Sequence, residues 1–490
     1  MSKERVVEHH QEELPSDLWR WSAASLRDAI RRGEVSVTEV VTAHLDRCDH
    51  VNGSINALIS VSAEEALATA RELDTRPRAG RGAPLHGVPV SIKDNTDQAG
   101  HVTTCGIVAA SENVAKEDAS VVAALRSSGA VFVGRSNLPA WGLRWFSEND
   151  LFGRTLNPWT TEHTPGGSSG GAAAAVAAGI VPIAHANDIG GSIRYPAAVC
   201  GVTGIRPTAG LVPKWSAPSL VSAAPSIAET LMAVEGPIAR HVKDLRIGLE
   251  AMSAHDPRDP ASLPIAYRDE PGLPAGAKVG IVRALPGVET CPESLRAVDD
   301  AAAWLQDAGY RTVELDIPEI AEAHRLWLLL LCEEIRIDAP KLMELGDAAL
   351  RQAMEYNFAV EDAAWGPNAT LETFLRGHSR RNELLSLMES RFTEVPLLLT
   401  PSSAARAPEH GADSASLERM SRLIQAQWPM TFVPCLGLPA ATVPTGVIGT
   451  LPGSVQIVGG RFRESWILDA AQAIEDRAGV ITPIDPVHLP

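Results

Sequence analysis

The sequence predicts an α/β protein with a helical insertion, and three observations carry that prediction. Short apolar runs bounded by Gly, Pro, Asn or Asp alternate with runs of helical periodicity, as at 87–92, 121–125 and 130–134, the pattern of strands and helices layered on one sheet. From about 317 to 392 the periodicity turns predominantly helical, which reads as an insertion or cap over that sheet. Strand patterns return at 395–400, 440–443 and 454–458. The 490 residues are read as one domain: N-terminal helices over 1–80, a core over 81–314, the helical insertion over 315–395 and a C-terminal part of the core over 396–490.

Taken in order, residues 22–49 place Leu26, Ile30, Val40, Val41, His44 and Leu45 at helical spacing. Ser25 reads as a cap, Gly33 as a break, and Ser36 to Glu39 as an S-x-x-E capping box. Residues 63–73 continue as an amphipathic helix. The run Gly87-Val88-Pro89-Val90-Ser91-Ile92 is a strand that ends abruptly in Lys93 and two turn formers, Asp94 and Asn95. In α/β folds the carboxyl end of a buried strand is where catalytic side chains sit. Residues 201–208 read as a short strand and turn, 278–282 and 312–315 as further strands, 294–308 and 466–478 as further helices, and no internal repeat or low-complexity tract interrupts them.

Composition excludes several classes. Hydrophobic residues at 45% and charged residues at 21% are ordinary for a globular enzyme. A formal net charge of −17 repels nucleic acid and anionic membrane surfaces. The first twenty residues lack the apolar centre of a secretory signal, and the longest apolar run, 172–184, contains Gly179 and Pro182 and is too short to span a bilayer. A cytoplasmic protein is the expectation. Six cysteines with no C-x-x-C pair argue for buried reduced thiols rather than disulfides or a zinc ribbon. No metal-spaced histidine cluster or phosphate loop is present, so no cofactor is expected, and His185 reads as a structural hydrogen-bonder.

The chemistry concentrates in two glycine- and serine-rich stretches, Gly166-Gly167-Ser168-Ser169-Gly170-Gly171 and Asp188-Ile189-Gly190-Gly191-Ser192-Ile193-Arg194. The alanine-rich run 172–179 between them predicts a helix without bulk, whose N-terminal amides face whatever the first loop holds. Glycines so placed imply close approach of backbone amides to a ligand, as in an anion or oxyanion site. Ser168 and Ser169 each satisfy G-x-S-x-G, but residues 157–165 before them include Pro158 and Pro165 and cannot form the central strand that a nucleophile elbow requires. A serine nucleophile without a Ser-His-Asp set needs another base, and a buried, neutral lysine can serve. Lys93 is the candidate.

These residues resemble the amidase signature family: Lys93, the stretch at 166–171, and the stretch at 188–194, with 24 positions from Ser168 to Ser192. The resemblance extends through Asn157-Pro158-Trp159, 201–208, 236–240 and 437–458, covers nearly the whole chain and is weakest over 315–395. It implies a central mixed β-sheet sandwiched by helices and a Ser-cisSer-Lys triad, with a cis peptide before Ser168. Ser192 would attack the amide carbonyl, Ser168 would pass its proton to Lys93 and later deliver one to the leaving nitrogen, and the amides of Ile189, Gly190, Gly191 and Ser192 would form the oxyanion hole. Ser169, Asp188 and Arg194 match supporting positions. The chain departs from the family pattern at Ala186-Asn187, Ala140 and Cys435.

The leading expectation is therefore a cofactor-independent amidohydrolase of linear carbon–nitrogen bonds in small molecules, with esters and carbamates (urethanes) open to the same acyl chemistry. Trp141, Trp145, Phe146, Trp215 and Trp327 suggest an apolar or aryl pocket. The alternative is a glutaminase like the A-subunit of glutamine-dependent tRNA amidotransferases, acting with a partner chain. A binding scaffold without activity is disfavoured by the intact Lys93, Ser168 and Ser192. A monomer or homodimer is expected, without nucleic acid or membrane as partner.

Overall fold

The computed structural model describes residues 17–77, 81–222, 224–270, 272–367 and 369–487. Residues 1–16, most of the first twenty residues read above, lie outside them.

Thirteen strands form among the described residues: β1 (Leu58–Val61), β2 (Pro89–Lys93), β3 (Val131–Ser136), β4 (Glu148–Asn149), β5 (Gly153–Arg154), β6 (Ile183–Asp188), β7 (Thr203–Arg206), β8 (Val234–Ala239), β9 (Lys278–Ile281), β10 (Arg311–Glu314), β11 (Leu397–Pro401), β12 (Ala440–Ile448) and β13 (Leu451–Gly459). All but the short β4–β5 hairpin join one sheet in the order β1-β3-β2-β6-β8-β7-β12-β13-β11-β9-β10. The sheet is mixed: β3, β2 and β6 run parallel, as do β11, β9 and β10, while the strands between them pair antiparallel.

Side chains alternate across this sheet with period two. Val131, Val133, Ala184 and Ala186 face the helix Val37–Ile55 and the alanine helix Gly170–Ala177. Val90, Ile92, Phe132 and Ile183 face the other layer, where helices Val242–Met252, Pro292–Asp307 and Glu464–Ala478 pack. The alanines from Ala172 to Ala175 are fully buried, because a helix without bulk lies close against strand backbone and its neighbours.

The helical stretch between β10 and β11 resolves into three helices, Pro318–Leu345, Ala348–Trp365 and Leu371–Glu394. Leu326, Leu329, Leu330, Leu384 and Met388 bury against Met430 and Phe432 of the helix Trp428–Leu436. Among the described residues no helix is long and apolar enough to cross a membrane.

Three local expectations need correction or support. Ser22, not Ser25, caps the first α-helix: its Oγ accepts from the Ser25 amide at 3.1 Å, because the helix begins at Ala23. The capping box at Ser36 and Glu39 is present as read. Four of the six free cysteines are buried, but Cys105 and Cys291 are half-buried.

Candidate active site

Two parallel strands deliver the site. β2 and β6 are hydrogen-bonded neighbours, with Val90 opposite Ile183 and Ser91 opposite Ala184. Their carboxyl ends therefore emerge side by side, one carrying Lys93 and the other Asn187 and Asp188. The alanine helix begins at Gly170, just after Ser168 and Ser169, and the Gly167–Ser168 peptide is cis.

Lys93 is fully buried. Its Nζ lies 2.8 Å from Ser168 Oγ and donates to Asn187 Oδ1 at 2.6 Å. The Asn187 amide is oriented by its other end, since Nδ2 donates to Asn95 Oδ1 at 3.0 Å, which turns the carbonyl oxygen towards the amine. Burial brings the Lys93 ammonium down from 10.5 to about 7, against the opposing pull of Glu235 and Asp188. A neutral amine can donate to Asn187 and accept from the Ser168 hydroxyl in the same geometry. Behind it, the Lys93 amide donates to His185 Nδ1 at 3.3 Å and His185 Nε2 donates to Glu235 at 2.7 Å, the structural role expected of this histidine.

Asp188 and Arg194 are both fully buried and paired through two bonds, 3.0 Å from Nε to Oδ2 and 2.9 Å from Nη2 to Oδ1. Arg194 also donates to Gln456 Oε1 at 2.6 Å and to the Met430 carbonyl at 2.8 Å. Burial pushes the Asp188 carboxyl up, but the Arg194 and Arg206 guanidiniums outweigh it and hold it at about 2. The same carboxylate accepts from the amides of Gly191 at 2.9 Å and Ile193 at 3.2 Å. The expected set of four oxyanion amides is thereby reduced, because the Gly191 amide is already committed to Asp188. Those of Ile189, Gly190 and Ser192 donate to no protein acceptor among the described residues.

Ser192 is 6% exposed and lines a cleft that opens to solvent. Its Oγ makes no direct hydrogen bond to Ser168 or to another described group, so the structure joins Lys93 to Ser168 directly and leaves Ser192 facing the cleft. Ser169 Oγ reaches only the Asn187 carbonyl, at 3.4 Å.

The glycines of the first stretch pack against the protein's own backbone. A Cβ on Gly167 would fall 2.4 Å from the backbone N and O of Phe146, and one on Gly171 would fall 2.5 Å from Asn137 N. The first amides of the alanine helix are likewise taken, Gly170 by Ser147 Oγ at 2.9 Å and Gly171 by the Asn137 carbonyl at 3.3 Å. These glycines exist for backbone packing, which composition could not distinguish from an anion loop.

Of the five predicted aromatic wall residues, Trp145 and Trp327 line the cleft, stacked with ring centroids 6.0 Å apart. The other three lie elsewhere. Trp141 packs with Ile107, Ala140 and Leu350, Phe146 is buried against Gly167, and Trp215 lies under Arg258, 3.9 Å from its guanidinium carbon. The remaining wall is apolar, with Leu328, Leu331, Ile335 and Met354 from the helical stretch and Asn357 as an uncharged amide. Its charged members are Arg144 and Asp413, joined to each other at 2.7 and 2.8 Å. Sequence reasoning missed Asn187, Arg144 and Asp413; Asn187 was visible as a departure, whereas the pair is 269 residues apart in the chain and leaves no local signal. Among the described residues, no group of three or more His, Cys, Asp or Glu is arranged to hold a metal.

The family model described as Amidase matches residues 39–468. The chain is 38% identical over 475 residues to an indoleacetamide hydrolase of Bradyrhizobium diazoefficiens, covering 95% of this chain and 88% of that one. It is 33% identical over 490 residues to the A-subunit of a glutamyl-tRNA(Gln) amidotransferase from Carboxydothermus hydrogenoformans, covering 94% and 97%. Among solved structures, a bacterial aryl acylamidase of the amidase signature family superposes with a TM-score of 0.77 at 26% identity, over 94% of this chain and 96% of that one. With the mixed sheet and a match to the family model over most of its length, the chain belongs to the amidase signature family and is a hydrolase of carbon–nitrogen amide bonds.

Proposed function

We propose that the protein hydrolyses carboxamides with an apolar, aryl-bearing acyl group through an acyl-enzyme on Ser192. The observation that carries this reading is a buried lysine held at about 7 and hydrogen-bonded to Ser168 beside an apolar cleft onto which Ser192 opens.

In this mechanism Ser192 Oγ bonds to the amide carbon as its proton passes to Ser168, whose own proton passes to the Lys93 lone pair. Negative charge develops on the carbonyl oxygen and is met by the unengaged amides of the 189–192 loop, each donor contributing about 3 kcal/mol to the transition state. The carbon–nitrogen bond then breaks while the Lys93 ammonium returns a proton through Ser168 to the departing nitrogen. Water attacks the resulting ester by the same relay in reverse roles, releasing the carboxylate and restoring the Ser192 hydroxyl. Activated esters and carbamates enter the same sequence at the first step, because neither the nucleophile nor the oxyanion donors require nitrogen in the leaving group.

The cleft favours a neutral acyl group. A glutamine side-chain amide would bring an α-carboxylate and an ammonium into a mostly apolar cleft whose charged residues, Arg144 and Asp413, are paired with each other at 2.7 and 2.8 Å, Arg144 Nη1 alone being left without a partner. This weighs against the glutaminase reading, and the indoleacetamide hydrolase and aryl acylamidase relatives agree with an aryl substrate. A hydrolysis screen across phenylacetamide, indole-3-acetamide, anilides, aryl esters, carbamates and glutamine tests it. Turnover of the arylacetamides, with an acyl mass increment trapped on the peptide containing Ser192, is the expected result. Turnover of glutamine alone would overturn the substrate reading, and an unmodified Ser192 peptide under burst conditions would overturn the mechanism.

A further inference from the structure

The two tryptophans of the cleft do more than bound it. Trp327 Nε1 donates to the Ile189 carbonyl at 2.8 Å, and Trp145 Nε1 donates to the Gly190 carbonyl at 2.8 Å. Both indoles are nearly buried, at 6% and 8% exposure, and their planes are inclined by 26° in a stacked pair. The contact is close on the loop side: a Cβ on Gly190 would fall 2.7 Å from Trp327 Cζ2. The indole therefore rests on the bare glycine backbone.

In a trans peptide the C=O and N–H point in opposite directions, and the described cis peptides are Gly167–Ser168 and Thr482–Pro483. Holding the Ile189 carbonyl therefore fixes the direction of the Gly190 N–H, and holding the Gly190 carbonyl fixes that of Gly191. The two peptides differ in how they are held. The one between Gly190 and Gly191 is fixed at both ends, by Trp145 at its oxygen and by Asp188 Oδ1 at its nitrogen, 2.9 Å away. The one between Ile189 and Gly190 is held by Trp327 at its oxygen, and its N–H is left for a ligand. A glycine-rich loop has little intrinsic stiffness, whereas an oxyanion donor acts through being oriented before the charge develops.

We infer that Trp327 is a positioning residue for the reaction: its indole N–H aims the Gly190 amide at the substrate oxygen, so that the wall of the acyl cleft and the oxyanion loop form one unit. This rests on the reading of Ser192 as nucleophile. It also gives the helical stretch between β10 and β11 a part in the chemistry, since Trp327 belongs to the helix Pro318–Leu345 and lies 138 residues from Ile189 in the chain.

The test compares Trp327→Phe, Trp145→Phe and a full-length protein carrying β-(3-benzothienyl)alanine at 327, which keeps the bicyclic shape and removes the donor. Turnover of phenylacetamide is measured, together with inhibition by phenylacetaldehyde, whose adduct with the nucleophile places an oxyanion in the hole, and by phenylacetate as a ground-state probe. Both 327 variants should lower kcat about tenfold or more with KM within about threefold, the loss expected of one oriented donor. Phenylacetaldehyde affinity should fall by the same factor as kcat, and that of phenylacetate should stay within about twofold. Trp145→Phe should lose less, because Asp188 still holds the adjoining amide. A benzothienyl protein with wild-type kcat, or 327 variants that raise KM and leave kcat unchanged, would reduce Trp327 to a wall residue and overturn the inference. Ser192→Ala runs alongside: full activity there sinks the nucleophile reading itself, whereas a dead Ser192→Ala beside an unimpaired benzothienyl protein sinks the inference alone.

Discussion

Residues 166–171 and 188–194 are both runs of glycine and serine that flank a strand or small helix, yet their backbones serve opposite ends. The first is closed by the protein itself: Phe146, Asn137 and Ser147 occupy the space its glycines leave, and its Gly166, Gly170 and Gly171 amides donate to neighbours. It contributes one hydroxyl, that of Ser168, to Lys93. The second is braced from behind by Asp188, Arg194 and two indoles and keeps amides and a hydroxyl towards the cleft. Glycine in a motif records that something comes close, and which partner comes close is a tertiary fact.

The largest expected effect sharpens the chemical half of this contrast. Ser192→Ala should lower kcat by about 10⁴-fold or more with an unchanged thermal unfolding midpoint, because the side chain makes no hydrogen bond that holds the fold. Loss of folding instead would make the second stretch structural like the first.

Gly171→Ala should do the reverse. Its Cβ meets backbone atoms of Asn137 and Ala57 at 2.5–2.6 Å, which cannot swing aside as a side chain can, so a cost of about 3 kcal/mol is expected. It would be read as lost soluble yield and a lower unfolding midpoint. A variant with wild-type stability and impaired turnover would place the first stretch back among ligand loops.

The pH profile follows from the lysine. With Lys93 as the proposed base the active form would be the neutral amine; burial lowers its pKa to about 7, and so kcat/KM should rise about tenfold per unit as pH increases towards 7 and level off above it. A profile flat from pH 5.5 to about 8 would remove Lys93 from the role of base.

Asn187→Ala is a smaller perturbation. The Asn187 carbonyl dipole favours the ammonium, so its removal should move the acidic limb to lower pH, and loss of the 2.6 Å contact should reduce kcat several-fold through a less fixed amine. An unmoved limb would show that the contact orients nothing. Ser169→Ala should have the least effect, within about twofold in kcat, since its single bond spans 3.4 Å.

Much of the fold was legible because strands that alternate with helices announce themselves by period and by what ends them. Lys93 was visible as a charge closing an apolar strand, and β2 does end there. The helical stretch was equally plain, since Leu326 to Leu331 had to be buried somewhere. The aromatic wall was harder. Trp145 and Trp327 line the cleft while Trp141, Phe146 and Trp215 pack elsewhere, and nothing in their spacing separates the groups, because aromatic burial has the same local signature whichever cavity it fills.

The sequence by itself determined the candidate reacting groups, many of the strands and helices and the family to which the chain belongs, since these depend on residue type and local pattern; β1, β6 and β8 were not read from it. Tertiary structure decided which of them meet. The parallel pairing of β2 with β6 puts Asn187 on Lys93, and the helix Pro318–Leu345 lays Trp327 over Gly190. Such contacts join residues far apart in the chain through packing and one or two hydrogen bonds, and neither composition nor periodicity carries information about the partner at that distance.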